Sequence, residues 1–358
     1  MEFLKTELCR LLNIEYPIIQ AGMAGGSVTP ELVAGVSEAG GLGTLGAAYM
    51  TKDTVRDAIR NIKTMTDKPF AVNLFSVEMK DNFDRLSEVM EILTPIRENL
   101  GLKKAGKKLS TTDHFDHIFE VVLEERVPVL STAFGVLKED AMKEAKKNGA
   151  RILTMATTVD EGLFAEEKGS DAVVAQGSEA GGHRSTFDMK KYPEGASIGT
   201  FSLIPQMADA LKVPVIAAGG IMDGRGLAAA LILGAAGVQL GTRFLTALES
   251  GAHPVYQKKL LEAKEDDTVI TKSFSGRPAR GIVNSFIRHT ELSGIAPLPF
   301  PSQNTATNEI RKAAAEQNNS EYMSLWAGQG LRMVRQGESS SQIVACLIKE
   351  AESILTFG

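Results

Sequence analysis

The sequence contains very little cysteine. Its only two cysteines, Cys9 and Cys346, stand near opposite ends of the 358 residues. Two cysteines cannot build the multi-bridge framework of a small secreted domain or a cysteine-rich zinc cluster. Since free cysteines are ordinary in a reducing compartment, we expect a cytoplasmic protein without structural disulfides.

The sequence also lacks a long apolar run and a strong charge of one sign. The longest uncharged stretch lies between Arg225 and Arg243, and it is shorter than the roughly 20 apolar residues that a membrane-spanning helix needs. Charged residues at Glu2, Lys5 and Glu7 leave no apolar signal-peptide core at the N-terminus. The formal net charge of -5 argues against a general nucleic-acid surface. We therefore expect neither a membrane nor a nucleic acid as a partner.

What the sequence does contain is an alternation of short apolar runs with helix-favouring stretches. Several apolar runs are continuous, which is typical of strands covered on both faces in a parallel sheet. Eight strand–helix units in succession favour a closed (β/α)8 TIM barrel, an α/β fold, over an open doubly wound sheet. The predicted strands are Tyr16–Gln20, Leu42–Leu45, Phe70–Leu74, Val127–Ser131, Arg151–Thr154, Asp171–Ala175, Val213–Ala217 and Gly237–Leu240. The predicted barrel helices are Pro30–Ala39, Asp53–Met65, Lys138–Asn148, Val159–Lys168, Leu203–Leu211 and Gly224–Leu233.

Two regions interrupt this alternation. Residues 76–126 form an insertion with two helical stretches, Phe83–Asn99 and Asp113–Glu125, and Pro95 is expected to break the first of them. The tail, 246–358, is too long to be only the last barrel helix. It contains a proline-rich turn, a polar stretch and two final helical segments; the turn is Ala296–Pro301 and the polar stretch is Ser302–Asn308. We divide the chain into a barrel, 1–245, and a mainly helical cap, 246–358, whose last helix closes the barrel.

The loops that follow the barrel strands are rich in glycine and small polar residues. In this fold such loops form the active face, and those after the seventh and eighth strands usually bind phosphate. Gly219 and Gly220 follow the seventh predicted strand, and Gly241 and Thr242 follow the eighth. Alone, the two glycines could merely allow a tight turn. Together with the next loop, which leads into a short helix, they favour an anion bound by backbone N–H groups.

His183 is the strongest candidate for proton chemistry, because it follows a Gly-Gly pair at a strand end and its ordinary pKa lies near neutrality. An inert surface histidine beside Arg184 fits the spacing equally well. Glu179 is expected to pair with Arg184 or to face solvent rather than to act in catalysis. His114 and His117 have no third ligand nearby, so we expect a solvated helix start there and no metal site.

Several of these segments look like those of the nitronate monooxygenases, formerly called 2-nitropropane dioxygenases. The resemblance runs from near Leu8 into the tail, and Ser185 departs from it, since relatives continue His-Arg with glycine. Trp326 lies in one of the matching tail segments, where it could be part of the core or of a lid. The matching segments are Gln20–Gly26, Gln176–Arg184, Val215–Ile221, Leu240–Phe244, Thr271–Arg280 and Leu325–Gln329.

The resemblance implies a flavin mononucleotide (FMN) barrel with a smaller helical cap and His183 as the active-site histidine. The cofactor-binding residues follow from the resemblance together with the phosphate loops. They are Gln20, Ala21, Gly22, Met23, Asn73, Gln176, Gly181, Gly219, Gly220, Gln239, Leu240, Gly241 and Thr242.

The implied reaction is oxidation of alkyl nitronates, including propionate 3-nitronate, by O2 to carbonyl compounds and nitrite. Because a nitronate is already an anion, His183 would donate a hydrogen bond to its nitro oxygens, whereas a neutral nitroalkane would need it as a base. One alternative is an FMN-dependent enoyl-acyl-carrier-protein reductase that uses NAD(P)H. Another is a flavin-binding barrel without turnover. The sequence does not decide whether the protein forms a homo-oligomer.

Overall fold

A computed structural model of the protein describes residues 2–103 and 109–356, and a sheet of parallel strands lies at its centre. The strands are β1 Ile18–Gln20, β2 Gly43–Gly46, β3 Phe70–Phe75, β4 Val129–Ala133, β5 Arg151–Ala156, β6 Ala172–Gln176, β7 Gly182–His183, β8 Val215–Ala218, β9 Gly237–Leu240, β10 Thr268–Thr271 and β11 Ala279–Ile282. The central sheet has 8 strands in the order β1-β9-β8-β6-β5-β4-β3-β2. Ile19 pairs with Leu42 between β1 and β2, so the sheet closes on itself. The predicted barrel is confirmed.

All of the predicted strands are present, but some begin later than the apolar pattern suggested. β1, β4 and β8 each start directly after a proline, namely Pro17, Pro128 and Pro214. Proline has no N–H to donate to the ladder, so regular pairing starts at the following residue. The carbonyl oxygens of these prolines still accept hydrogen bonds from neighbouring strands.

Three strands that the sequence did not predict form a small antiparallel sheet in the order β10-β11-β7. β7 consists of only Gly182 and His183, and it pairs with Arg280 and Ala279 of β11. A strand of two residues that begins with glycine shows no sequence pattern from which it could be predicted. Its importance is positional, because it fixes the backbone of His183 against a segment of the tail.

The helices predicted for the barrel are all present, with small shifts at their ends. The helices of the chain are α1 Glu7–Leu12, α2 Pro30–Glu38, α3 Lys52–Met65, α4 Leu86–Asn99, α5 Phe115–Glu124, α6 Glu139–Lys147, α7 Val159–Glu167, α8 Thr200–Ala210, α9 Gly224–Ile232, α10 Pro254–Glu262, α11 Ser285–Leu292, α12 Ser302–Glu316 and α13 Ser340–Leu355. α1 was not predicted. It places Leu8 and Leu12 in one buried cluster with barrel residues such as Ile19 and Leu42, so the helix packs against the interior of the barrel.

Two expectations about helices were wrong. α4 continues through Pro95, which therefore does not break it. The proline costs one backbone hydrogen bond, and the hydroxyl of Thr94 donates to the carbonyl of Met90 in the same turn. The polar stretch Ser302–Asn308 is the first half of α12 rather than a separate segment.

The insertion and the tail pack in two different ways. α4 contacts α11 and α12 and shares an apolar core with the tail, whereas α5 contacts α3 and β3 of the barrel. α13 lies against α9 and α2, as expected of a helix that closes the barrel. The division of the chain near residue 245 remains a proposal, which these contacts support. Within residues 2–103 and 109–356, no helix has both the length and the apolar content to cross a bilayer.

Candidate active site

A cavity of about 1200 Å³ opens where the barrel strands end. Small-molecule sites are commonly about 300–1,000 Å³, so this one has room for a cofactor together with a small substrate. It is lined by His183 and by every predicted cofactor-binding residue except Gln20; these are Ala21, Gly22, Met23, Asn73, Gln176, Gly181, Gly219, Gly220, Gln239, Leu240, Gly241 and Thr242.

Gln20 is fully buried and is not among the residues that line the cavity. Its amide oxygen accepts from the backbone N–H of Thr44 at 3.0 Å, and its amide nitrogen donates to the carbonyls of Ala21 and Thr44. The side chain therefore joins β1 to β2 and has its polar atoms occupied by protein. Cofactor binding by Gln20 stays a prediction, which these side-chain contacts do not support.

The loops predicted to bind phosphate both lie at the cavity. Gly219 and Gly220 have φ values of 117° and 71°, which favour glycine, and their N–H groups donate to no acceptor within residues 2–103 and 109–356. The N–H of Thr242 is equally free of an acceptor in the described chain. The helix that begins there, Thr242–Phe244, is a single 3-10 turn, so its dipole adds little. The binding of an anion at this place would therefore depend on hydrogen bonds from the free N–H groups.

A segment of the tail, residues 326–330, covers this side of the cavity. The N–H of Gly328 donates to the hydroxyl of Thr242 at 3.0 Å. A Cβ atom on Gly181 would lie 2.5 Å from backbone atoms of Ala327 and Gly328, so only glycine permits this approach. The glycine of the Gly-Gly-His loop thus serves to bring the tail over the barrel.

The loop from Gln176 to Arg184 is held rigidly from within. Arg184 is fully buried and donates to the carbonyls of Gln176 at 2.8 Å, Gly177 at 2.7 Å and Ala196 at 3.1 Å. The amide of Gln176 donates to the carbonyl of His183 at 2.9 Å and accepts from the N–H of Ser185 at 2.8 Å. Arg184 is structural, and Gln176 positions His183 in addition to lining the cavity.

Glu179 does not form the predicted ion pair with Arg184 within the described residues. Its carboxylate accepts from the N–H of Thr200 at 2.9 Å and from the Thr200 hydroxyl at 2.7 Å. Thr200 is the first residue of α8, where backbone N–H groups lack partners and a negative charge is favoured. Glu179 therefore caps α8 and has no ion pair with Arg184 in the described chain. The sequence did not predict the contact of Glu179 with Thr200, because the two residues are 21 positions apart.

Ser185, where the sequence departs from the pattern that it resembles, has a structural role. Its hydroxyl accepts from the N–H of Phe134 at 2.9 Å and donates to the carbonyl of Met155 at 2.9 Å. Phe134 has φ = 74°, a conformation that a bulky residue rarely adopts. A glycine at 185 would offer no hydroxyl, so the serine helps to hold Phe134 in place beside His183.

The ring of His183 faces the cavity and has one protein partner in the described chain. Its Nε2 lies 2.8 Å from the hydroxyl of Ser275. That hydroxyl accepts from the N–H of Arg277 at 3.2 Å, and its proton can go to the Arg277 carbonyl at 3.1 Å or to His183. The hydroxyl orientation therefore selects the imidazole tautomer, and with it whether Nδ1 donates or accepts. Rings surround the imidazole, with centroids 5.4 to 6.5 Å away; they are Phe75, Phe134, Phe300 and Trp326.

The imidazole of His183 is neutral at physiological pH. Burial lowers its pKa from 6.5 to about 3, and the positive charges of Arg277 and Arg311 act in the same direction. The reading of His183 as an inert surface residue is therefore wrong. A neutral ring in a positive field can hydrogen-bond to an anionic ligand without first losing a proton.

This low pKa predicts that stability falls as the pH is lowered from 6.5 toward 3. Below pH 6.5 the unfolded chain binds a proton at His183 that the native protein does not bind. The free energy of unfolding therefore falls by up to about 1.4 kcal/mol per pH unit. Between pH 7 and pH 5, wild type should lose about 2 kcal/mol more in free energy of unfolding than His183→Asn. Urea unfolding of both proteins at the two pH values measures this. Parallel losses would mean that His183 titrates in the native protein as it does in the unfolded chain.

The remaining histidines lie at different places in the fold. No group of three metal-ligating side chains is found in the chain as described. His114 precedes α5 and lines the cavity, while Nδ1 of His253 accepts from the N–H of Val255 at the start of α10. Trp326 forms part of the cavity wall, 5.4 Å from His183 and 5.5 Å from Phe274 between ring centroids.

Sequence reasoning missed one side of the cavity. An aromatic wall and an arginine also line the cavity, contributed by segments far apart in the chain. They are Tyr49, Phe75, Phe134 and Arg311, and Phe300 packs against Phe75 and Phe134. No spacing in the sequence connects these residues, because only the folded barrel and cap bring them together.

Comparison with known proteins gives one consistent family. The family model for nitronate monooxygenase matches residues 5–350. The chain is 44% identical over 354 residues to a probable nitronate monooxygenase of Staphylococcus saprophyticus, covering 98% of this chain and 99% of that protein. It is 42% identical over 355 residues to a probable nitronate monooxygenase of Staphylococcus aureus, covering 99% of both.

Two solved structures are similar to the chain over nearly its whole length. A nitroalkane oxidase from Streptomyces ansochromogenes superposes with a TM-score of 0.90 at 37% identity, covering 98% of this chain and 99% of that one. FabK from Thermotoga maritima superposes with a TM-score of 0.77 at 32% identity, covering 99% and 98%. The architecture is shared with both, and the agreement is better with the nitroalkane oxidase.

Proposed function

The chain belongs to the nitronate monooxygenase family of oxidoreductases, and from this premise we propose that it binds FMN and oxidises alkyl nitronates, including propionate 3-nitronate, with O2 to a carbonyl compound and nitrite. One observation carries the proposal. A neutral histidine faces a large cavity that free backbone N–H groups and aromatic rings also line, in the positive field of two arginines.

The lining residues fit FMN. The free N–H groups of Gly219, Gly220 and Thr242 would hold its phosphate, since they have no acceptor within the described residues. Gly22, Met23, Asn73, Gln239 and Leu240 would surround the rest of the cofactor. A bound FMN supplies the electron transfer between substrate and O2.

The protein's own part is to bind and orient the anion. When the Ser275 hydroxyl donates to Nε2 of His183, the imidazole proton is on Nδ1, which has no partner in the described chain. We assign this tautomer to nitronate oxidation, with Nδ1–H donating to a nitro oxygen. The opposite tautomer leaves Nδ1 free to accept a proton, as a neutral nitroalkane would require. The positive charges of Arg277 and Arg311 favour the anionic form of the substrate.

The test is a spectrum of the purified protein followed by two assays. We expect a yellow protein with flavin absorbance, rapid O2 uptake and nitrite release on addition of propionate 3-nitronate, and little oxidation of NADH. Efficient reduction by NADH together with reduction of an enoyl thioester, and no response to nitronate, would establish the reductase instead. A yellow protein inert in every assay would support a binding role only.

A further inference from the structure

A second, smaller pocket lies beside the active-site cavity, between the tail and the barrel. Its volume of about 200 Å³ is below the common range of small-molecule sites, so it suits a small ion better than a cofactor. Met222, which follows the loop of Gly219 and Gly220, lies in the wall of both spaces. We call the smaller space the arginine pocket. The charged residues in its wall are Asp223, Arg225, Arg243, Arg332, Arg335 and Glu350.

The arginine pocket has more positive than negative groups in its wall. Its four arginines come from three separate parts of the chain: Arg225 is on α9, Arg243 follows β9, and Arg332 and Arg335 precede α13. Two carboxylates line the same pocket. Because like charges repel each other, a pocket that brings four guanidinium groups together favours the entry of an anion.

Both of these carboxylates are already bound at the start of α9. Asp223 accepts from the N–H groups of Arg225 at 3.0 Å and Gly226 at 3.3 Å, and its other oxygen accepts from the Arg225 guanidinium at 2.6 Å. Glu350 accepts from the N–H of Gly224 at 2.9 Å. The first N–H groups of a helix lack backbone partners and favour a negative charge. The two carboxylates therefore satisfy α9 and Arg225 rather than the other three arginines.

Arg243 is the buried arginine of the pocket, and one of its nitrogen atoms has no acceptor. Its Nη2 donates to Glu338 at 2.7 Å, but its Nη1 is buried and has no partner among the described residues. A buried N–H group without an acceptor costs free energy, and an oxyanion beside it would recover that cost. This unpartnered donor points to a ligand rather than to a solvated group of charges.

The two arginines of the tail also have donors without an oxygen acceptor. Nη2 of Arg335 lies 3.9 Å from Oε1 of Glu350, which is beyond hydrogen-bond distance, and its Nη1 donates to the sulfur of Cys346 at 3.8 Å. Arg332 pairs with Glu265 through its Nε, and its two Nη groups have no acceptor among the described residues. Both arginine side chains are more than half exposed, so they can turn toward a ligand at little cost.

We propose that the arginine pocket binds a small oxyanion of the phosphate class, which Arg243, Arg332 and Arg335 hold together. Paired N–H groups of a guanidinium match two oxygens of one anion. A tetrahedral phosphate offers oxygens to several guanidinium groups at once, whereas a carboxylate offers two. None of these three arginines lines the active-site cavity, so the site is distinct from the proposed cofactor and substrate sites. The bound anion joins the tail to the barrel.

Isothermal titration calorimetry of the FMN-saturated protein tests the proposal, because bound FMN keeps the anion away from the cofactor loops. The probe is inorganic phosphate, and acetate at the same ionic strength is the comparison. We expect phosphate to bind at least about tenfold more tightly than acetate. Arg335→Met should weaken phosphate binding about 10- to 100-fold, as for loss of hydrogen bonds to a charged group. Arg60→Met, which removes an exposed arginine of α3 that pairs with Glu125, should bind phosphate as wild type does.

Two further measurements sharpen the result. Arg243→Met should also lose phosphate binding, but it breaks the ion pair with Glu338, so the exposed Arg335 provides the decisive variant. Glycerol 3-phosphate distinguishes the source of the ligand. Binding as tight as that of inorganic phosphate would indicate a phosphorylated small molecule, and weaker binding would indicate the free ion; either result supports the site.

Several outcomes would overturn the proposal. Phosphate that binds no more tightly than acetate would show that the pocket is not an oxyanion site of this class. Undiminished phosphate binding in Arg335→Met, or an equal loss in Arg60→Met, would show that the anion binds elsewhere or through general charge. Release of FMN on addition of phosphate would place the anion at the cofactor loops. If the protein bound no FMN, the proposed function would fail, and Arg335→Met would still decide on the arginine pocket.

Discussion

Replacing His183 with leucine is expected to lower kcat/KM for propionate 3-nitronate by about 10²- to 10³-fold, the effect of losing one preorganised donor to a developing or bound anion. The ring faces the cavity and its Nδ1 has no other partner within residues 2–103 and 109–356. FMN should stay bound, because the free N–H groups of the phosphate loops belong to other strands of the barrel. Flavin absorbance and steady-state O2 uptake measure the two effects separately.

His183→Asn separates the two roles of the histidine. The asparagine amide reaches about as far as Nδ1 and can donate a hydrogen bond, but it cannot act as a base near neutral pH. We therefore expect His183→Asn to recover part of the activity with propionate 3-nitronate and none with the neutral nitroalkane. Recovery with neither substrate would favour the base, and unchanged kinetics in the leucine variant would remove His183 from the mechanism.

Replacing Gly220 with valine is expected to remove most of the bound FMN. Gly220 has φ = 71°, and a β-branched residue is strained in this conformation by about 1–3 kcal/mol. Space is not the cause, since an added Cβ would lie 3.5 Å from its nearest neighbour, Cβ of Glu179. The turn would relax and rotate its N–H groups away from the phosphate. We expect FMN affinity to fall about 10- to 100-fold, measured as the flavin-to-protein ratio after dialysis.

Gly149→Val is the matched control. Gly149 also has a positive φ, 85°, and an added Cβ would meet no atom within 4 Å. It lies between α6 and β5, where the strand begins, so the strain is similar but the cavity is remote. This variant should lose comparable thermal stability and keep its FMN. Full FMN content in Gly220→Val would contradict the phosphate assignment, and FMN loss in both variants would reduce the effect to general destabilisation.

Local sequence patterns predicted the fold and part of the candidate site. The continuous apolar runs predicted the parallel strands, and prolines beside them explain the differences at strand ends. Glycines after the seventh and eighth predicted strands predicted two loops that lie at the cavity with free N–H groups, because the conformation of a tight turn is a property of a few consecutive residues. The same kind of pattern located His183, but it could not decide whether the ring was exposed.

Errors arose where a side chain had a partner far away in the sequence. Glu179 caps a helix that begins at Thr200 instead of forming an ion pair with Arg184. The short β7 exists only because the tail supplies β11 as its partner. None of these partners has a fixed spacing from the residue that it binds.

The barrel and the position of the two glycine-containing loops at its cavity were determined by the sequence itself, since periodicity, proline and glycine act on the backbone nearby. Only the tertiary structure decided the chemistry of the cavity. The pKa of His183 depends on burial and on the charges of Arg277 and Arg311, and its tautomer depends on Ser275. Desolvation and Coulomb energy depend on distance in space, and the folded chain sets those distances by packing the tail over the barrel.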